Sequence, residues 1–156
     1  MGVALTACAQ DREQSVRGRL ERWLVLGETA YFKSTIECTA AAFAVQGPEI
    51  RETITVVRTI RKGVRLLRQG TAVAFDVPGV DPSRVSEAIM ALDLPDGLGV
   101  ITAGVAAKDC MTETVAKQYA AALTDPDTVL FYDPQEKTLS IFDRSQQRVY
   151  FTRGSI

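Results

Sequence analysis

Thr128–Arg153 reads TVLFYD-PQEK-TLSIFD-RSQQ-RVYFTR: three six-residue runs rich in aromatic and β-branched side chains, parted by two polar spacers of four residues. Each run has the length and composition of a strand, and each spacer is short enough only for a direct reversal. The stretch therefore predicts an antiparallel meander whose packing surface is supplied by Phe131, Ile141, Phe142, Tyr150 and Phe151. Such a ribbon needs further elements to cover it.

Helices are the natural cover, and apolar spacing supplies them. Val115, Tyr119 and Leu123 recur every four residues, with Asp109 or Thr112 as N-cap and Asp125-Pro126 as the stop. Asp81-Pro82 starts another helix, with Val85, Ile89 and Leu92 as its stripe. In ITVVRTIRKGVRLLRQG (54–70), Val56, Ile60, Val64 and Leu67 fall on one face and Gly70 ends the run. In AQDREQSVRGRLERWLVLG (9–27), Val16, Leu20, Trp23 and Leu24 form a stripe that Gly27 ends, weakened at Gly18 by about 1 kcal/mol relative to alanine. TAVAFDVPG (71–79) alternates Val73, Phe75 and Val77 as a strand, and 29–37 is strand by composition. Two segments stay open: 38–45 is strand or short buried helix, and DLPDGLGVITAGVAAKDC (93–110) is a buried strand or short helix behind a Pro95–Gly97 turn. The sum is one α+β domain over 9–156, an antiparallel sheet that includes the C-terminal meander, with amphipathic helices packed mainly on one face.

At 156 residues, with 46% hydrophobic and 24% charged residues, the chain can bury a real core. No apolar run reaches the roughly 18–20 residues of a membrane span. A net charge of −1 argues against nucleic acid as a partner. The charge is uneven: residues 1–70 hold 11 basic and 7 acidic side chains, residues 71–156 hold 7 and 12. There is no histidine, which removes Ser-His-Asp and Cys-His catalysis and most zinc chemistry. The reading is of a non-enzyme without cofactor or metal.

The most distinctive surface feature is the basic helix face Arg58, Arg61, Lys62, Arg65 and Arg68, uninterrupted by acid. It suits a phospholipid headgroup, an anionic polymer or an acidic partner; the plainer alternative is a solvated helix face. Gly97, Gly99 and Gly104 are spaced G-x-G-x-x-x-x-G, which is not a dinucleotide loop, and read as turn and packing glycines. Asp125, Asp127 and Asp133 lack the spacing and final glutamate of an EF-hand and read as helix-end and turn residues. Glu28, Tyr31 and Lys33 offer proton-transfer chemistry, but alternation in a strand divides them between two faces, so an edge or partner contact fits better.

The opening residues bear on location. Leu5–Cys8, LTAC, looks like the cleavage site of a bacterial lipoprotein signal. Together with LGETAYFKS (26–34), CTAAAF (38–43), DCM (109–111) and VYFTRG (149–154), it resembles small periplasmic lipoproteins of Rhodobacter-like alphaproteobacteria. The resemblance implies a diacylglyceryl thioether and an amide-linked acyl chain on Cys8, enough chains for stable anchoring. Residues 1–8 are then a signal remnant; seven residues before Cys8 are fewer than a working signal needs, so the start is misassigned or trimmed. Ala9 after the cysteine favours the outer membrane, with the domain on the periplasmic face. Of three cysteines, an acylated Cys8 leaves Cys38 and Cys110 to form a disulfide, worth about 4 kcal/mol in the chain-entropy model. Two other readings are open: M-G-x-x-x-[ST] myristoylation with palmitoylated Cys8, and a cytoplasmic protein with three reduced thiols. The functional expectation is a lipid-anchored accessory or interaction subunit of an envelope assembly. Its alternatives are an anionic-ligand binder using Arg58–Arg68 and a histidine-free enzyme, marked by a deep pocket holding a carboxylate of raised pKa.

Overall fold

A computed structural model describes residues 11–154, so Cys8 and the signal-like start lie outside the described residues. In chain order the elements are α1 (Glu13–Glu21), β1 (Leu26–Ser34), β2 (Cys38–Val45), β3 (Thr55–Val57), α2 (Ile60–Arg68), β4 (Val73–Phe75) and α3 (Pro82–Leu92). There follow α4 (Leu94–Ala106), a 3-10 turn (Ala107–Cys110), α5 (Glu113–Leu123), β5 (Thr128–Asp133), β6 (Thr138–Asp143) and β7 (Arg148–Gly154). The fold is α+β, and the strands form one seven-stranded sheet in the order β1-β2-β7-β6-β5-β4-β3.

The meander forms as its composition predicts, with Leu130 opposite Ile141 and Ile141 opposite Tyr150. Each spacer is closed by a residue with left-handed backbone, Lys137 (φ 54°) and Gln147 (φ 50°). The open segment 38–45 is a strand between β1 and β7. One neighbour pair departs from the antiparallel expectation: β3 and β4 run parallel, because α2 is the crossover between them. Val56 consequently belongs to β3 and not to the helix stripe, and it is exposed.

Alternation along the strands makes two cores. Leu130, Tyr132, Leu139, Ile141 and Tyr150 join Phe75, Val85, Ile89, Val100 and Tyr119. Val129, Phe131, Phe142, Val149 and Phe151 join Val16, Leu20, Trp23 and Leu24. Trp23 stacks on Phe131 with ring centroids 5.6 Å apart. α1 ends sooner than the stripe suggests, at Glu21; Trp23 and Leu24 sit in the following turn, where both backbone N–H groups donate to the Leu20 carbonyl at 2.9 Å. Gly27 is thus a strand residue and not a helix stop, and a Cβ there would come within 3.2 Å of Ala44.

In 93–110 the helix alternative holds and the expected turn does not: Leu94–Ala106 is an α-helix ahead of the 3-10 turn, capped by the Asp93 side chain, which accepts from Asp96 N–H at 3.1 Å, with Pro95 in the first turn. Pro95–Gly97 reads as a turn in sequence because proline and glycine also punctuate loops, yet proline in a helix's first turn costs no hydrogen bond. Of the two caps offered for α5, Thr112 is used, accepting from Val115 N–H at 3.2 Å.

Candidate functional site

The basic face is only partly free. Thr59 caps α2, so Arg58 lies ahead of the helix, 3.9 Å from Asp76, a carboxylate that Arg144 also holds at 3.0 Å. Arg68 donates to Asp93 at 2.7 Å and to the Leu92 carbonyl at 2.8 Å. That hydrogen bond from Arg68, with the one from Asp96 N–H, holds the Asp93 carboxyl below the usual aspartate range. Arg61, Lys62 and Arg65 are exposed and enter no ion pair among the described residues. Arg61, Arg65 and Arg68 line a shallow groove of 180 Å³ with Val64 and Leu92.

The other expected residues are placed as follows. Asp125 accepts from Asp127 N–H at 2.9 Å and from Ser145, and Asp133 accepts from the N–H groups of Gln135 and Glu136; these are turn bonds. Among the described residues no three acidic or cysteine side chains gather to hold a metal ion. Glu28, Tyr31 and Lys33 lie on the edge strand β1; Glu28 and Lys33 are exposed, and Tyr31 donates its hydroxyl to the Cys110 carbonyl at 2.5 Å. Exposed charges and two register shifts guard that edge against strand addition. Cys38 and Cys110 sit at disulfide distance, with Cα atoms 6.0 Å apart.

What the sequence did not single out is the outer face of α4. Leu94, Leu98, Ile101 and Val105 are spaced i, i+4, i+7 and i+11, so they form one stripe along the helix. Leu94, Leu98 and Val105 are 56%, 49% and 57% exposed, although they are among the largest apolar side chains of the helix. Its inward residues are Gly97, Val100, Ala103 and Gly104. The three glycines of this segment are packing glycines. A Cβ on Gly97 would lie 2.3 Å from Met90 Cα, one on Gly99 2.2 Å from the Tyr132 hydroxyl, and one on Gly104 2.8 Å from the Tyr119 hydroxyl. The sequence signal was present in the spacing, but glycine and proline within the same run masked it.

Clefts flank this ridge. One, of 230 Å³, is floored by Val100, Tyr119, Leu123 and Leu139 and rimmed by Glu87 and Lys108, with Ile101 and Val105 on its wall. The other, of 540 Å³, sets Asp96, Thr102, Tyr132 and Lys137 around apolar Leu98 and Pro134. Burial pushes both phenols up to about 12, Tyr119 against the opposing effect of its Thr152 hydrogen bond and Tyr132 with help from Asp96 and Asp133. Both therefore keep their protons at neutral pH. Asp96 is raised by burial and by Asp93. A raised carboxyl in a cleft is the mark set out for a histidine-free enzyme. Among the described residues no hydrogen bond joins Asp96, Thr102, Tyr132 and Lys137. The cleft sets these donors and acceptors beside an aliphatic ridge.

No helix among the described residues is long and apolar enough to cross a membrane. No family model, curated protein or solved structure matches this chain.

Proposed function

We propose that this protein is a non-catalytic docking subunit of the bacterial cell envelope, tethered through lipidated Cys8, whose α4 face seats an apolar helix of a protein partner. The observation that carries the reading is the stripe Leu94–Leu98–Ile101–Val105 standing between two clefts, with Leu94, Leu98 and Val105 exposed and Ile101 partly buried. Contiguous exposed aliphatics rimmed by polar groups characterise interaction sites, and a ridge between clefts offers the shape complementarity that a protein partner exploits. A layer of α2–α5 over one sheet face belongs to this reading, since it makes α4 an outer element. The Cys38–Cys110 pair at disulfide distance supports an oxidising compartment such as the periplasm. The resemblance to alphaproteobacterial lipoproteins, and the preference of Ala9 for the outer membrane, enter as parts of the same proposal.

The test is site-specific photo-crosslinking in cells from the full native gene, with the reactive side chain at position 98 and a control at Gln14 on α1. A protein adduct at 98 and none at 14, with a diacylglyceryl mass on Cys8, is the expected result. No protein adduct at 98 overturns the docking reading, and an unmodified Cys8 overturns the tether.

A second reading draws on Arg61, Lys62 and Arg65, which enter no ion pair among the described residues; Arg61 and Arg65 line the groove with Val64 and Leu92. It makes the groove a site for a phosphate-bearing headgroup or polymer. Changing all three to glutamate abolishes retention on anionic vesicles if the reading holds; unchanged retention with the fold intact removes it.

A further inference from the structure

The α4 stripe carries a property that a generic docking face lacks. Its members fall at 94, 98, 101 and 105, so they are disposed symmetrically about the middle of the helix. Laid antiparallel on a copy of itself, α4 sets Leu94 against Val105 and Leu98 against Ile101 of the other copy, and the two-fold axis repeats both pairs. Every large side chain of the stripe then meets another.

The charges at the two ends of the helix are unequal in the sense this arrangement needs. At the Leu94 end Arg68 is bonded to Asp93, and Arg61 and Arg65 share a groove with Leu92; these three cations outnumber Asp93 and Asp96. At the Val105 end Glu87 and Asp109 outnumber Lys108. Antiparallel pairing brings the positive end of each copy to the negative end of the other, whereas parallel pairing sets like ends together. Helix packing requires axes to approach to about 8–10 Å, and the half-exposed Leu94, Leu98 and Val105, with Ile101 partly exposed between them, leave that approach open. A helix of 13 residues is about 20 Å long and about 10 Å across, a strip of roughly 200 Å², short of the roughly 800 Å² per partner of a standard interface. The cleft rims must therefore contribute, which sets the expected association in the weak, micromolar range.

We propose that the partner seated on α4 is a second copy of this chain, in a two-fold antiparallel pairing of Leu94 with Val105 and Leu98 with Ile101. This rests on the reading of α4 as a docking face. The test is sedimentation equilibrium of the full chain, with Cys8→Ser throughout so that no intermolecular disulfide contributes. The parent protein is expected to dimerise, and Leu94→Glu or Val105→Lys alone to weaken the dimer at least 100-fold with an unchanged melting temperature. An equimolar mixture of the two variants is expected to recover association, because the new carboxylate at 94 faces the new ammonium at 105 of the other copy. Recovery in the mixture is specific to this register. A parent protein monomeric at about 1 mM, or variants that dimerise as the parent does, overturns the second-copy assignment. If the in-cell adduct at position 98 then joins the chain to a different protein, the docking reading stands and only the identity of the partner fails; if no protein adduct forms there, both fail together.

Discussion

Replacing Cys38 and Cys110 together by alanine should lower stability by about 5 kcal/mol, and the contributions can be separated. The cysteines stand 72 positions apart, so their link closes a loop whose conformational freedom in the unfolded chain is worth about 4 kcal/mol in the chain-entropy model. On the native side both side chains are buried in a cluster with Ala40, backed by Tyr31 and Met111. Removing two sulfurs there adds roughly 1 kcal/mol of lost packing. In a domain of this size each kcal/mol moves the melting temperature by about 2–4 °C, so the double variant should melt roughly 10–20 °C below the oxidised protein. Reduced parent protein supplies the control, since it loses the loop constraint but keeps the sulfur atoms; its melting temperature should lie a few degrees above that of the double variant.

The assay is calorimetry of the three species at one pH, with thiol alkylation of the native, unreduced protein alongside. Melting temperatures of the oxidised protein and the double variant within about 3 °C of each other would refute the loop argument. Alkylation of Cys38 and Cys110 without reduction would refute the link itself. The consequences reach toward α4, because Tyr31 donates to the carbonyl of Cys110, the last residue of the 3-10 turn that follows that helix. Hydrogen exchange in the double variant should therefore quicken first at Ala107–Cys110 and along β1.

Gly97→Ala should cost about 1–3 kcal/mol by thermal melting, because the added methyl meets Met90 backbone and forces α3 from α4; Gly18→Ala, with open space around it, should gain about 1 kcal/mol. Asp93→Ala removes the cap of α4 and the partner of Arg68, for a loss of about 1–2 kcal/mol by chemical denaturation. The folded Asp93 carboxyl lies below its ordinary 3.8, so its contribution is present above that pH and is lost as pH falls through the lowered value. Melting temperature plotted against pH should accordingly fall less steeply below pH 4 in the variant than in the parent protein. Trp23→Ala, which uncovers Phe131 on the face that α1 covers, should cost about 3–5 kcal/mol in denaturant titrations and abolish tryptophan fluorescence, since the sequence holds one tryptophan.

The parts of the fold that could be read in the sequence are those where local preference and burial agree. The meander runs are strands by composition and are also the sheet centre, and Asp81-Pro82 is both a helix start and the cap found for α3. Where several physical causes share one residue signal, the reading failed. Val56 repeats at helical spacing from Ile60, yet the pattern spans the end of β3 and the start of α2, so spacing alone joined two elements. Cys38–Val45 was left open because alanine favours helix while the neighbouring strands β1 and β7 supply hydrogen bonds on both sides, and pairing overrides propensity. For the candidate site, the basic face was visible in sequence, but which cations remain free depends on Asp76 and Asp93, brought in from elsewhere in the chain. The aliphatic stripe of α4 went unmarked because a run containing Gly97, Gly99 and Gly104 reads as broken.

Those same glycines explain why the stripe exists where it does. An ordinary amphipathic helix places its large apolar residues inward and is held to the sheet by them. In α4 the order is reversed: glycine, alanine and valine face the core, and leucine, isoleucine and valine line the outer face. Small inward residues let the helix settle low, with Met90 backbone and the hydroxyls of Tyr119 and Tyr132 in the space where Cβ atoms would stand. The domain thereby closes its core without the outward side chains, and surface positions of this kind usually accept polar residues within about 0.5 kcal/mol. Polar residues at 94, 98 and 105 would serve the isolated fold equally well and its solubility better. Intramolecular stability therefore does not account for three exposed aliphatic side chains along one ridge, and that is the ground on which a covering surface is proposed.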